Sequence, residues 1–79
     1  MIKMYSKENC PNCDHARKML VNKNMPFEEI KIDQDTSSKQ WLVEQGFRSV
    51  PQIWDSQGTY IGGYVDLKKY FEKENVNAY

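Results

Sequence analysis

Both cysteines of this 79-residue chain lie in one tetrapeptide, Cys10-Pro11-Asn12-Cys13. Thiols three positions apart can bond to each other but cannot tie distant parts of a fold together. The disulfide frameworks that hold small secreted proteins are therefore excluded, and the chain must rest on an apolar core. At this length one domain, residues 1–79, is expected. It would bury roughly 60–65% of the surface that the unfolded chain exposes. Pro11 narrows the choice further. Its fixed φ and missing N–H suit the first position of a helix. Cys13, Ala16, Met19 and Leu20 follow at helical spacing, which predicts a helix over 11–23, ended by Asn24 and Pro26.

The remaining elements follow from periodicity and turn residues. Ile2 to Ser6 alternates apolar and polar and reads as a strand, with Lys7 to Cys10 as the loop behind it. Phe27 to Ile32 reads as a second strand with Ile30 and Ile32 on one face. Ser37 and Gln40 have capping-box spacing in front of Trp41 and Leu42, and Gly46 is a natural stop. Gln52-Ile53-Trp54 and Thr59-Tyr60-Ile61 flank Asp55 to Gly58 as a hairpin in which Gly58 is free to take positive φ. Leu67, Tyr70 and Phe71 predict a final helix over about 65–75. Trp41, Trp54, Tyr70 and Phe71 read as core and sheet-packing residues. The order strand, helix, strand, helix, strand, strand, helix gives an α/β fold. The first two strands are parallel through a right-handed crossover, and the last two are antiparallel. A four-stranded mixed sheet flanked by three helices is expected, in a thioredoxin-like layout.

Eleven basic and eleven acidic residues leave no net charge, which argues against a nucleic-acid partner. No apolar run approaches the ~20 residues of a membrane span, and Met1 to Tyr5 lacks the apolar stretch of a signal peptide. A reducing, cytoplasmic setting is the expectation.

A Cys-x-x-Cys opening a helix after a strand is a redox signature. Cys10 is expected at the N-cap, facing the unpaired N–H groups of the first turn and the positive end of the helix dipole, which favour thiolate over thiol. Thiols of this kind have pKa values of roughly 3.5–7 rather than ~8.5. Lys7 adds positive charge near the sulfur, while Glu8 and Asp14 oppose it. Cys13, one turn in and on the apolar stripe, is expected to be the less exposed, resolving thiol. A structural zinc site needs four ligands, and the chain offers only Cys10, Cys13 and His15 among sulfur and nitrogen donors, so no metal is expected. An iron–sulfur cluster bridging two chains needs one cysteine from each and is the reading from a different class, a binding module; the rigid Pro11 disfavours it. His15 reads as a surface helix residue without a role.

Over nearly its whole length the sequence resembles the glutaredoxin family. Cys10-Pro11-Asn12-Cys13 is similar to the family's Cys-Pro-Tyr-Cys, with Asn12 replacing the aromatic residue. Ser49-Val50-Pro51 resembles the Thr-Val-Pro that carries a cis-proline beside the active site. Gly62-Gly63-Tyr64-Val65-Asp66 resembles the Gly-Gly-x-x-Asp of the glutathione site. The resemblance implies Cys10 and Cys13 as catalytic residues, supported by Pro11 and Pro51. It implies a glutathione site made by Lys7, Ser49, Val50, Pro51, Gly62, Gly63, Val65 and Asp66. In it, the Val50 backbone pairs with the cysteinyl unit, the last helix receives the γ-glutamyl carboxylate, and Asp66 meets the ammonium. Lys7 or Arg48 would take the glycyl carboxylate. Glutathione is then a co-substrate, with no permanently bound cofactor.

The implied activity is glutathione-dependent reduction of protein disulfides and glutathione mixed disulfides by a monomeric enzyme. Gly46-Phe47-Arg48 ahead of Ser49 also resembles the redoxins that serve ribonucleotide reductase and take electrons from thioredoxin reductase. The glycine pair with Asp66 favours the glutathione-dependent reading; the absent aromatic at Asn12 removes one wall of the groove.

Overall fold

The computed structural model describes residues 1–77. Its elements are β1 (Ile2–Ser6), α1 (Pro11–Asn22), β2 (Phe27–Lys31), α2 (Thr36–Glu44), β3 (Gln52–Trp54), β4 (Tyr60–Gly62) and α3 (Tyr64–Asn77). The strands form one sheet in the order β2-β1-β3-β4. β1 runs parallel to β2 and antiparallel to β3, and β3 runs antiparallel to β4. This is the expected thioredoxin-like mixed sheet with three helices.

The pleat sorts the side chains of β1 onto two faces. Ile2 and Met4 join Ile53, Ala16, Leu20, Leu67 and Phe71 in the core that packs the sheet against α1 and α3. Tyr5 points the other way, where its ring stacks on Trp41 at 5.6 Å and meets Trp54 edge-on at 5.5 Å. α2 covers this second face only partly. Trp41 therefore packs against the sheet as expected but keeps 40% of its surface exposed. Trp54 and Tyr70 are half-buried, and Phe71 is buried.

Helix ends follow backbone hydrogen bonding. α1 stops at Asn22, a residue before the sequence reading, because Lys23 is its cap. Asn24 takes positive φ, and its N–H and that of Met25 donate to Val21 and Leu20. α2 ends the same way. Gly46 lies at φ +92°, and the N–H groups of Gly46 and Phe47 donate to Val43 and Leu42 at 2.9 and 3.0 Å. Both are Schellman motifs, in which a left-handed residue lets two orphan carbonyls be satisfied. The start of α2 differs from expectation. Asp35, not Ser37, is its N-cap, with its carboxylate accepting from Ser38 N–H at 3.3 Å. A carboxylate also complements the helix dipole, and Gln40 instead donates to Glu44 one turn on. Strand β2 ends at Lys31, although Ile32 N–H still donates to the Ser6 carbonyl.

In the hairpin, the Asp55 carboxylate accepts from the N–H groups of Gln57 and Thr59 at 2.9 and 2.8 Å. That Asx-type turn keeps Thr59 in the loop, so β4 begins at Tyr60. Gly58 takes φ +86° as expected.

Candidate functional site

Cys10 is the N-cap of α1, and its sulfur accepts from the Cys13 N–H at 3.2 Å. That donor helps hold negative charge on the sulfur once the thiol ionises. The two cysteines are joined as a disulfide, so the structure is the oxidised form. Cys10 is 6% exposed and Cys13 fully buried, which leaves Cys10 as the sulfur open to attack. The acids that would counter a Cys10 thiolate are engaged elsewhere. Glu8 pairs with Lys31 at 2.6 Å, and Asp14 with Arg17 at 2.7 Å. Lys7 is exposed on the loop between β1 and α1.

A polar cluster anchors the active-site helix to the sheet. Glu29 on β2 accepts from Arg17 Nε and Nη2 at 2.8 and 2.6 Å and from the buried Ser6 hydroxyl at 2.6 Å. The Arg17 hydrogen bonds hold the Glu29 carboxyl below the usual carboxylate range against the opposing effect of burial, and the Ser6 bond adds to them. Glu29, then Asp14, raises the Arg17 guanidinium pKa in turn.

The Val50–Pro51 peptide is cis, and the Val50 carbonyl oxygen lies 3.7 Å from Cys10 Sγ. From there a groove of about 390 Å³ runs past Asn12, Pro51 and Gly63 to Tyr64, Val65 and Asp66. It ends at the start of α3, where Leu67 N–H donates to the Gly63 carbonyl and so makes Gly63 the N-cap. Asp66 is thus not the cap but the third residue of the helix, and its Oδ2 accepts from Gly63 N–H at 3.1 Å. The N–H groups of Tyr64, Val65 and Asp66 lie in the turn that has no intrahelical acceptors.

The glycine pair divides its work. Gly62 sits at φ +126°, and a Cβ there would fall onto Asp66. A Cβ on Gly63 would meet only the Pro51 carbonyl oxygen, at 3.5 Å, so Gly63 is not held to glycine by strain.

Lys7, Arg48, Ser49 and Val50 line a second cavity, of which Asp66 is not part. The predicted residues therefore fall into two adjoining depressions that share Ser49 and Val50 beside Cys10.

Sequence reasoning missed Gln52, Tyr60 and Tyr64. The buried Gln52 donates to the Ser49 carbonyl at 3.0 Å and accepts from the Tyr60 hydroxyl at 2.5 Å, bracing the segment that enters the cis peptide. Burial, with a smaller effect of Asp66, pushes the Tyr60 phenol up and keeps it a donor. Tyr60 and Tyr64 give the groove aromatic surface that Asn12 does not. Gln52 is the polar residue of an otherwise apolar strand, a signal that could have flagged it; Tyr60 and Tyr64 carry none. His15 is exposed and stacks on Tyr64 at 5.3 Å. Among the described residues, no group of three or more His, Cys, Asp or Glu side chains is arranged to hold a metal ion. No helix among them is long and apolar enough to cross a membrane.

A cysteine pair at the start of the first helix of a thioredoxin-like sheet defines a thioredoxin-like redox protein. A family model described as Glutaredoxin matches residues 2–61, and this chain belongs to that family, as a glutaredoxin-family oxidoreductase. Glutaredoxin 3 of Escherichia coli is 37% identical over 68 residues, covering 84% of this chain and 80% of its own. The glutaredoxin-like protein NrdH of Lactococcus lactis is 34% identical over 62 residues, covering 78% and 86%. The hybrid peroxiredoxin hyPrx5 of Haemophilus influenzae is 37% identical over 70 residues, which are 89% of this chain but only 29% of that larger protein. The dithiolic glutaredoxin 2-C-Grx1 of Trypanosoma brucei brucei superposes with a TM-score of 0.81 at 23% identity, over 98% of this chain and 82% of its own, and shares the fold. The glutaredoxin-like NrdH-redoxin of Escherichia coli, described as having a thioredoxin-like activity profile, superposes with a TM-score of 0.73 at 25% identity, over 80% and 82%.

Proposed function

We propose that this protein is a glutathione-dependent dithiol oxidoreductase acting on protein disulfides and glutathione mixed disulfides. It works as a monomeric single domain in the cytoplasm. The Cys10 thiolate attacks one sulfur of the substrate disulfide; a Cys10 mixed disulfide forms as the substrate bond breaks and a thiolate leaves. Cys13 then attacks the Cys10 sulfur, expels the second substrate thiol and closes the Cys10–Cys13 disulfide. One glutathione opens that bond as a mixed disulfide on Cys10. A second removes it as glutathione disulfide and restores the dithiol.

The observation that carries this reading is the α3 start, with unpaired N–H groups and the Asp66 carboxylate, in the same groove as Val50, whose carbonyl lies beside Cys10. Amide donors suit a carboxylate, and an acid suits the adjacent ammonium. The γ-glutamyl end of glutathione carries both on one carbon. Val50 and the cis-Pro51, flanked by Ser49, present a backbone edge to its cysteinyl unit, and Val65 closes the groove. Lys7, in the adjoining cavity, suits the glycyl carboxylate.

Asp66→Asn tests the reading. Asn keeps an oxygen for the Gly63 N–H but loses the charge. Reduction of the oxidised protein by glutathione should slow about five- to thirtyfold, equivalent to about 1–2 kcal/mol, while reduction by dithiothreitol is unchanged. Equal glutathione rates for wild type and variant would sink it. Cys10→Ser should abolish activity, and Cys13→Ser should keep turnover of glutathione mixed disulfides.

The second reading is a redoxin reduced by thioredoxin reductase and donating electrons to ribonucleotide reductase. Gly46-Phe47-Arg48 and the similarity to the L. lactis protein favour it.

A further inference from the structure

We propose that the cavity lined by Lys7 and Val50 is a docking subsite for protein substrates. It takes a polypeptide segment that carries an apolar and an acidic side chain on the C-terminal side of the disulfide cysteine. The orientation rests on the glutathione reading above. With the γ-glutamyl, N-terminal side of the cysteinyl unit at α3, the C-terminal side must leave past Val50 toward Arg48.

The cavity holds about 200 Å³. Its floor is apolar, with Leu42 buried, Ile32, Phe47 and Val50 half-buried, and Val43 exposed at the edge. The Schellman motif at the end of α2 builds this floor, because its second bond returns Phe47 to the turn that carries Leu42. Glutathione does not account for such a surface. Its C-terminal residue is glycine, whose carboxylate can reach Lys7 but which has no side chain to lay on Leu42 and Phe47. A longer chain does.

The charge of the rim says what kind of chain. Lys7, Lys39 and Arg48 come from three separate segments and converge on the cavity, all of them exposed. None of the three makes an ion pair among the described residues. The one acid in the lining, Asp33, accepts the backbone N–H of Glu8 at 3.3 Å. By contrast, Lys31 and Arg17, which do not line the cavity, are paired with Glu8 and Glu29. Positive charge around an apolar floor selects a partner with the opposite charge and an apolar anchor.

The test uses reduced wild-type protein and six-residue peptides whose cysteine is activated as a 2-thiopyridyl disulfide. The Cys10 thiolate attacks the peptide sulfur, the Cys10–peptide disulfide forms, and 2-thiopyridone leaves and is read by absorbance. Cys13 then displaces the peptide thiol. The sequences Cys-Leu-Asp, Cys-Leu-Lys, Cys-Ala-Asp and the reversed Asp-Leu-Cys are compared, each rate divided by that with dithiothreitol to remove intrinsic reactivity. Cys-Leu-Asp should react at least fivefold faster than each of the others, and the advantage over Cys-Leu-Lys should shrink with added salt. Lys39→Glu, on the exposed face of α2, should erase or invert the Asp-over-Lys preference. Val43→Asn should erase the Leu-over-Ala preference. Both variants should react normally with methyl 2-thiopyridyl disulfide, which is too small to reach the cavity. Equal normalised rates for all four peptides overturn the proposal, as do preferences that survive both substitutions. So does a dimer in sedimentation equilibrium that Lys39→Glu dissolves, since the cavity would then belong to a second copy. Loss of peptide discrimination with an intact Asp66 effect on glutathione rejects this subsite alone. Loss of the Asp66 effect rejects the glutathione reading.

Discussion

Replacing Gly62 by alanine tests how the glycine pair shapes the groove. Two separate penalties arise at this position. The first is conformational: at φ +126° a Cβ is disfavoured, which costs about 1–3 kcal/mol, less roughly 0.5–1 kcal/mol recovered because alanine restricts the unfolded chain. The second is steric. The new Cβ would lie 2.7 Å from both Cβ and Cγ of Asp66 and closer still to Oδ2. Relieving that overlap costs about 1–3 kcal/mol and must move Asp66 or the strand. Together they come to about 1–5 kcal/mol. A chain of this size has a total of about 4–12 kcal/mol. With a urea slope near 1 kcal/mol/M for a small domain, the midpoint should fall by about 1–5 M. The displaced Asp66 should also lose its bond to Gly63 N–H, so glutathione should lose rate more than dithiothreitol does. Adding Asp66→Ala deletes Oδ2 and Cγ, and should recover part of the steric cost but none of the conformational cost. A Gly62→Ala protein with wild-type urea midpoint and wild-type glutathione rate would refute the reasoning. Gly63→Ala is the internal control, expected to be milder in stability because its Cβ meets only the Pro51 carbonyl oxygen at ordinary contact distance.

Two further outcomes follow from the same geometry. Glu29→Gln should lower stability at pH 7 by about 1–3 kcal/mol, since it weakens two charge-assisted bonds from Arg17. Because the Glu29 carboxyl is held low, its contribution is present above the ordinary carboxylate range and lost as pH falls through the folded-state value. Urea melts between pH 7 and pH 3 should therefore show wild type and Glu29→Gln converging on acidification; a constant gap would contradict the assignment. Gly46→Ala meets open space but keeps the burden of φ +92°, so it should cost about 1–2 kcal/mol in a thermal or urea melt, and no loss would show that the α2 terminus relaxes freely.

The readable parts of the molecule were those with a local cause. Pro11, the Cys10–Cys13 spacing and the 3.6-residue stripe through Ala16 and Leu20 are enough to start and orient α1. Asn24, Gly46 and Gly58 stood out as chain-turning residues because few others accept positive φ. The α2 start was misread because Ser37 and Gln40 imitate a capping box while Asp35, two residues earlier, caps more strongly. Trp41 packs on the sheet as its aromatic character predicts, but how far it is buried depends on how much of the sheet α2 covers, which helix length and docking decide. The final helix begins at Tyr64, one residue before the 65 that the spacing of Leu67, Tyr70 and Phe71 predicts, because Gly63 rather than a side chain supplies its cap. The links Ser6–Glu29–Arg17 and Ser49–Gln52–Tyr60, and the convergence of Lys7, Lys39 and Arg48, join segments far apart in sequence. No periodicity or spacing announces such meetings.

The central claim is that glutathione regenerates the Cys10–Cys13 dithiol. The most direct measurement presents the oxidised protein to two reductants in parallel, glutathione with glutathione reductase and NADPH, or thioredoxin reductase with NADPH, and follows NADPH consumption during turnover of a disulfide substrate. Sustained consumption with glutathione, lost in Cys10→Ser and slowed in Asp66→Asn, is the predicted result. Consumption with thioredoxin reductase alone would contradict the claim and make the protein a redoxin of the NrdH kind.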